Sequence, residues 1–113
     1  MTLKIYHNPR CSKSRQTLAL LEEQGLEADV VEYLNTPPSA SELAAIVKML
    51  SVPARDIARK KEAAEAGIDV SSLNEKALLS AMAAHPAVIE RPIVINNGKA
   101  AIGRPPENVL KIL

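Results

Sequence analysis

The sequence predicts an α/β fold in which a mixed four-stranded sheet carries helices. Short apolar stretches typical of strands lie near both ends of the chain, and a long stretch with helical periodicity separates them. The predicted order is therefore β-α-β, a helical insertion, and β-β-α. The opening unit should have a parallel, right-handed crossover, whereas a hairpin near the end supplies antiparallel strands.

The opening β-α-β unit is predicted from three segments. Residues 3–6 are short and apolar-alternating, which is typical of a strand. Asn8 followed by Pro9 predicts the start of a helix, since Asn can cap a helix and Pro fits its first position. That helix should run to Gln24. Residues 28–33 are rich in β-branched side chains and predict the second strand.

The central stretch, about residues 39–86, is predicted to be a helical insertion. A capping-box pattern at 39–42 precedes apolar residues at helical spacing. A short helix should follow Pro53, and a weaker helical piece comes after it. A second capping-box pattern at 72–75 predicts the last helix of the insertion.

The final segment predicts a β-hairpin and a helix. Asn97-Gly98 separates two short apolar stretches, residues 93–95 and 100–102, and this dipeptide is the strongest short hairpin signal. Pro105-Pro106 then predicts the start of a terminal helix. We expect the whole chain, residues 1–113, to form a single domain.

Composition excludes several function classes. Aromatic residues make up 2% of the chain, so base stacking cannot carry nucleic-acid binding. The net charge of +1 provides no general basic field for a nucleic acid. No apolar run reaches the length of a membrane span, and the N-terminus lacks a signal-peptide layout. We therefore expect a cytoplasmic protein that binds neither nucleic acid nor membrane.

Cys11 is the only cysteine, and its position predicts a reactive thiolate. It falls at or just inside the start of the first helix, where unpaired backbone N–H groups and the helix dipole favour an anion. The basic residues Arg10, Lys13 and Arg15 add positive charge. The alternative is a buried, inert thiol. The polar residues on both sides of Cys11 favour the reactive interpretation.

Two familiar thiol motifs do not match the sequence. A C-x-x-C redox pair would need a cysteine where Ser14 stands, and a C-x5-R phosphatase loop would need an arginine where Thr17 stands. A second thiol must therefore come from outside the chain. One cysteine is also too few for a cysteine zinc site, and we predict no metal and no bound cofactor.

Four ordered motifs resemble those of the glutaredoxin-coupled arsenate reductase family, and together they span essentially the whole chain. They are His7–Arg15, Tyr33–Pro38, Glu90–Val94 and Gly103–Glu107. The resemblance implies a thioredoxin-like fold with a helical insertion, which agrees with the element order above. One departure lies next to the thiol, where Cys11-Ser12-Lys13-Ser14 replaces the smaller residues of the best-studied members.

The resemblance also implies roles for individual residues, including three arginines whose spacing in the sequence assigns them no role. It implies that Cys11 is the nucleophile and that Pro92 follows a cis peptide bond. The predicted oxyanion-binding residues are Arg59, Arg91 and Arg104. The residues predicted to support the thiolate are His7, Asn8, Ser14 and Arg15.

The implied activity is that of an oxidoreductase, an arsenate reductase. The Cys11 thiolate attacks arsenate, glutathione acts as co-substrate and resolves the adduct, and arsenite is released. Glutaredoxin then reduces the mixed disulfide, and the protein is expected to be a monomer.

Two other functions stay open at this point. A related thiol oxidoreductase would act on another oxyanion or on a glutathione adduct, and it would keep its dependence on Cys11. A non-enzymatic transcriptional regulator of the Spx type would bind RNA polymerase. Such regulators generally switch through a C-x-x-C pair, which Ser14 removes here.

Overall fold

The computed structural model describes residues 3–113 and confirms the predicted α/β class with a mixed four-stranded sheet. The strands are β1 (Leu3–His7), β2 (Asp29–Glu32), β3 (Ile93–Asn96) and β4 (Lys99–Ile102). The α-helices are α1 (Ser12–Glu23), α2 (Ala40–Leu50), α3 (Lys60–Glu65) and α4 (Glu75–Ala84). Three 3-10 helices cover Ala54–Ile57, Pro86–Val88 and Pro106–Ile112.

The chain divides into two compact units. The first unit joins the segment up to Thr36 with the segment from Arg91 onwards, and it contains the whole sheet. The second unit is Pro37–Glu90 and contains α2, α3 and α4. The predicted helical insertion of about residues 39–86 falls within the second unit. No helix of residues 3–113 is both long enough and apolar enough to cross a bilayer.

The sheet has the strand order β2-β1-β3-β4. β1 pairs with β2 in parallel, and β1–β3 and β3–β4 are antiparallel pairs. The β3–β4 hairpin turns at Asn97 and Gly98, whose φ angles are 51° and 78°. Positive φ at both central residues is the geometry that an Asn-Gly turn favours, so this local signal predicted the hairpin correctly.

One apolar cluster holds the first unit together. It consists of buried residues from β1, α1, β3, β4 and the last 3-10 helix: Ile5, Leu21, Val94, Ala101 and Val109. Because β1 and α1 both contribute to this cluster, the two ends of the loop between them are fixed. The loop contains residues 8–11 and therefore carries Cys11.

The second unit begins at the predicted capping box, which is confirmed. The backbone N–H of Glu42 donates to Ser39 Oγ at 3.1 Å, and the N–H of Ser39 donates to Glu42 Oε1 at 3.1 Å. The buried side chains of α2 are Leu43, Ile46 and Val47, which share one helical face. Helix α2 packs against α4.

The predicted start of α1 at Asn8 and Pro9 is wrong. The helix begins at Ser12, with Cys11 as its N-cap. Residues 8–11 form a turn instead, because the Cys11 N–H donates to the Asn8 carbonyl at 3.0 Å and the Arg10 N–H donates to Asn8 Oδ1 at 3.0 Å. The same Asn-Pro preference serves helix starts and turns, so the sequence signal was ambiguous.

The second predicted capping box is also wrong. The N-cap of α4 is Asn74, whose side chain accepts a hydrogen bond from the Ala77 N–H at 2.8 Å. The Glu75 carboxylate accepts a hydrogen bond from the Ala54 N–H, with distances of 3.0 and 3.2 Å to its two oxygens. A tertiary contact has thus taken the side chain that the local pattern assigned to Ser72.

The terminal helix forms as a 3-10 helix over Pro106–Ile112. Pro105 and Pro106 have no N–H to donate, and the Asn108 N–H bonds to the Pro105 carbonyl in an i to i+3 pattern at 3.0 Å. The short helix predicted after Pro53 is likewise a 3-10 helix, Ala54–Ile57.

Candidate active site

Cys11 stands at the junction between the turn of residues 8–11 and helix α1. Its backbone is extended, with φ −93° and ψ 123°, and its carbonyl accepts the Arg15 N–H at 3.0 Å. Its side chain makes no capping hydrogen bond to the helix. The first amides of a helix have no partners within the helix, and they attract negative charge. The thiol is therefore next to an end of the helix that favours anions.

Arg104 brings a cation to the Cys11 sulfur. Its Nη2 donates to Cys11 Sγ at 3.6 Å, and its Nε donates to the Arg91 carbonyl at 2.8 Å. The second hydrogen bond fixes the plane of the guanidinium, so the cation is held towards the thiol. The guanidinium is therefore placed to offset negative charge that develops at the sulfur during a reaction.

Gly103 makes this placement of Arg104 possible. Its N–H donates to the Pro92 carbonyl at 3.0 Å. A Cβ at position 103 would lie 2.9 Å from Pro92 Cγ and would overlap the Thr17 side chain. Since no side chain fits there, glycine lets the strand end pass close to α1 and to Pro92. Gly103 is thus a positioning residue, and its place in the Gly103–Glu107 motif did not by itself indicate this role.

Two peptide bonds near the site are cis. The Arg91–Pro92 bond, for which a cis form was predicted, is cis, and so is the Arg104–Pro105 bond. The second was not predicted. The chain has eight prolines, and a proline by itself does not mark which bond is cis.

His7 and Ser14 form a buried polar pair behind the turn. His7 Nδ1 lies 2.6 Å from Ser14 Oγ, and the Asn8 N–H donates to the same oxygen at 3.0 Å. Burial lowers the pKa of the His7 imidazole below its ordinary value; the Glu32 carboxylate opposes this shift and the Arg15 guanidinium adds to it. The neutral imidazole is therefore favoured, and His7 acts on the turn through its hydrogen bond rather than as a cation.

Comparison with known proteins decides the family. The model of the ArsC family matches residues 6–112. This chain belongs to the ArsC family.

Relatives of this ArsC-family chain match along its full length. An arsenate reductase of Neisseria meningitidis serogroup A is 54% identical, covering 98% of this chain and 97% of the relative. An arsenate reductase of Haemophilus influenzae is 47% identical, covering 100% of both. A solved structure of an arsenate reductase from Vibrio cholerae has a TM-score of 0.94 at 51% identity, covering 100% of this chain and 98% of its own. The predicted thioredoxin-like fold is confirmed.

The remaining residues that were predicted to support the thiolate stabilise the turn of this ArsC-family chain. Arg15 Nη1 donates to the Pro9 carbonyl at 2.8 Å, which ties α1 to the turn. Asn8 closes the turn through both its carbonyl and its side-chain oxygen. Their effect on Cys11 is therefore to hold its backbone in place.

The three predicted oxyanion-binding arginines lie in different units. Arg91 and Arg104 belong to the first unit with Cys11, and they are joined by the hydrogen bond from Arg104 Nε. Arg59 belongs to the second unit, where it is the N-cap of α3. Its guanidinium contacts Glu62 at 3.0 Å and Glu90 at 3.7 Å. An oxyanion that bound Arg59 would compete with these carboxylates.

Within residues 3–113 there is no group of three or more His, Cys, Asp or Glu side chains that would hold a metal ion. The described residues combine one thiol, an arginine held beside it and a helix start, an arrangement suited to nucleophilic chemistry on an anion.

Proposed function

We propose that this protein is an arsenate reductase in which Cys11 is the nucleophile, glutathione is the co-substrate and glutaredoxin recycles the enzyme. The observation that carries the proposal is the 3.6 Å contact between Arg104 Nη2 and Cys11 Sγ at the start of α1. The relatives named arsenate reductase, at 54% and 47% identity, support the choice of substrate.

In the first step the Cys11 thiolate attacks the arsenic of arsenate. A sulfur–arsenic bond forms and one arsenic–oxygen bond breaks, and the departing oxygen leaves as water after it takes up protons. Arsenic stays in oxidation state five in this adduct. The guanidinium groups of Arg91 and Arg104 and the first amides of α1 offset the negative charge, because forked N–H donors suit oxyanions.

In the second step glutathione supplies the reducing electrons. Its thiolate attacks Cys11 Sγ, so a disulfide forms and the sulfur–arsenic bond breaks. The bonding pair stays on arsenic, which leaves as arsenite in oxidation state three. The two thiols together lose two electrons, and arsenic gains two. Glutaredoxin then attacks the glutathione sulfur of the mixed disulfide and restores the Cys11 thiol.

The single cysteine supports this external-thiol cycle. Cys11 is the only cysteine of the chain, so an internal disulfide cannot form during turnover. We expect the protein to act as a monomer without a bound cofactor, and to bind arsenate, glutathione and glutaredoxin in turn.

Arsenite release tests the proposal. We expect arsenate to be converted to arsenite when glutathione and glutaredoxin are both present, and we expect Cys11→Ser to abolish turnover because a hydroxyl is a far weaker nucleophile at neutral pH. Lys48→Ala, an exposed change in the second unit, is the control and should retain activity. Mass spectrometry of the enzyme stalled without glutaredoxin should show one glutathione attached at Cys11.

A second arm separates the two reductant systems. Thioredoxin with its reductase should not replace glutathione with glutaredoxin. Equal turnover with thioredoxin alone would overturn the glutathione-dependent part. The absence of arsenite in every arm, from a protein with a normal thermal transition, would overturn arsenate as the substrate.

A further inference from the structure

We propose that a cleft beside the reactive turn binds the peptide part of the thiol co-substrate, with glutathione as the chemical type. The inference rests on the proposed function and assigns a separate place to its second substrate. The cleft has a volume of about 350 Å³, within the range of small-molecule sites. Its lining residues on one side are His7 at the end of β1 and residues 8–10 of the turn. On the other side they are Glu32, the last residue of β2, and Leu34 and Asn35 after it. We call it the turn cleft.

The fold brings these two segments together through strand register. β1 and β2 are parallel, and His7 lies opposite Glu32 at their carboxyl ends. In α/β folds, ligands bind outside the carboxyl ends of parallel strands. Each segment is also held by its own hydrogen bonds: the Asn35 N–H donates to the Glu32 carbonyl at 3.0 Å, and the Cys11 N–H donates to Asn8. The turn cleft is therefore built before a ligand arrives.

The charges of the turn cleft match a zwitterionic peptide. Arg10 and Glu32 are both exposed and carry opposite charges, which suit a carboxylate and an ammonium group respectively. The amides of Asn8 and Asn35 offer hydrogen bonds to peptide groups. Leu34, which is 44% exposed, offers an apolar contact to methylene groups. Glutathione presents all of these features: two carboxylates, one ammonium, two amides and short methylene stretches.

The turn cleft gives arsenate no net attraction, because the Glu32 carboxylate offsets the charge of Arg10. The Glu32 carboxylate repels an oxyanion, whereas Arg104 beside Cys11 attracts one. Glutathione is thus assigned to the turn cleft, and arsenate to the neighbourhood of Cys11 and Arg104.

The turn cleft is continuous in sequence with the nucleophile. Arg10 directly precedes Cys11, and the Cys11 N–H is bonded to Asn8, another lining residue. A peptide bound at residues 8–10 would contact the turn that ends at Cys11. Binding there would hold glutathione near the adduct, so the second step would not depend on random collision.

Titration with S-methylglutathione tests the turn cleft without any redox chemistry, because its sulfur is blocked. We expect backbone NMR shifts at residues 8–10 and 32–35 in wild type and in Cys11→Ser.

Glu32→Gln should raise the Kd about 2- to 5-fold, as expected for loss of one exposed ion pair. Glu22→Gln removes an exposed carboxylate of α1 outside the lining, and it should leave the Kd unchanged. All titrations are run near pH 7.5, where neutral His7 is favoured in each variant.

Kinetics supply the second readout. Glu32→Gln should raise the KM for glutathione by the same factor and leave the KM for arsenate unchanged, which a loss of stability would not do. Shifts confined to other residues, or a Glu32→Gln variant with the Kd and KM of wild type, would overturn the turn cleft while arsenite release continued. Sulfate alone producing the same shifts would also overturn it. Binding at the turn cleft without any arsenite release would support the site and overturn the proposed reaction.

Discussion

The two units differ in what they bury. The buried polar residues among residues 3–113 are His7, Ser14 and Thr17, and all three belong to the first unit. The buried residues of the second unit are apolar, as in Leu43 of α2 and Met82 of α4. Burying a polar group is costly unless it is hydrogen-bonded, and each of these three is: His7 with Ser14, and Thr17 with the Lys13 carbonyl at 2.8 Å.

This difference indicates that the first unit fixes the geometry around Cys11, whereas the second unit contributes mainly to stability. Satisfied polar groups in a core specify one arrangement, whereas apolar packing stabilises without such directional demands. We therefore expect changes in the first unit to alter the reactivity of Cys11. Comparable changes in the second unit should alter stability and leave that reactivity intact.

Arginine variants of the two units should differ most in the rate at which Cys11 is alkylated. Arg104→Ala removes the cation next to Cys11 Sγ, so we expect alkylation of the thiol by iodoacetamide to slow about 10- to 100-fold at neutral pH. Arg59→Ala lies in the second unit, where its guanidinium contacts Glu62 and Glu90, and should leave the alkylation rate unchanged. Equal alkylation rates in wild type and Arg104→Ala would show that the arginine does not stabilise the thiolate.

Glycine variants of the two units should show a smaller difference, in both stability and the alkylation of Cys11. Gly103→Ala places a methyl group against Thr17 and Pro92, so we expect about 1–3 kcal/mol of lost stability together with slower alkylation of Cys11. Gly67→Ala meets no neighbouring atom but has a φ of 75°, so it should cost about 1 kcal/mol and leave alkylation unchanged. Urea unfolding and alkylation kinetics measure both effects.

A double variant checks the cause of the glycine effect. Thr17→Ala should relieve part of the overlap, so the loss in Gly103→Ala/Thr17→Ala should be smaller than the sum of the two single losses. Strict additivity would mean that Thr17 is not what excludes a side chain at position 103.

A variant of His7 should show the smallest effect, a change in how stability depends on pH. The folded state disfavours protonated His7, whereas the unfolded chain takes up that proton near its ordinary value of about 6.5. Stability should therefore be complete above that pH and fall as the pH is lowered. Between about pH 7.5 and about pH 5.5, His7→Asn should lose less stability than wild type. Urea unfolding at both pH values measures the losses, and identical losses in wild type and His7→Asn would contradict a lowered pKa of His7 in the folded state.

Local signals predicted most of the fold. The alternating residues of β1, the capping box of α2 and the Asn97-Gly98 hairpin each depend on neighbours in sequence, and each forms as expected. The errors had two causes: one local signal served two local structures, and a tertiary contact took a side chain from its local partner. Asn8-Pro9 formed a turn, and Glu75 bonded to Ala54, which lies twenty-one positions away.

The site was less accessible to sequence reasoning. The helix start marked Cys11 directly, but Arg104 reaches it across a separation of ninety-three positions, which no spacing rule predicts. Only the resemblance to a known family singled out that arginine. The close approach at Gly103 depends on the side chains of Thr17 and Pro92 in three dimensions, so no local pattern could assign it a role.

The missing side-chain cap of α1 means that other residues at position 11 would make the helix more stable. Helices α2 and α4 begin with Ser39 and Asn74, which accept a hydrogen bond from their own first turn, whereas Cys11 does not cap its helix. Serine, aspartate or asparagine would stabilise α1 by about 1 kcal/mol at that position. Selection for a more stable molecule would thus favour replacing the residue that selection for chemistry must keep. Any such replacement at position 11 would gain helix stability and lose the thiol in the same step.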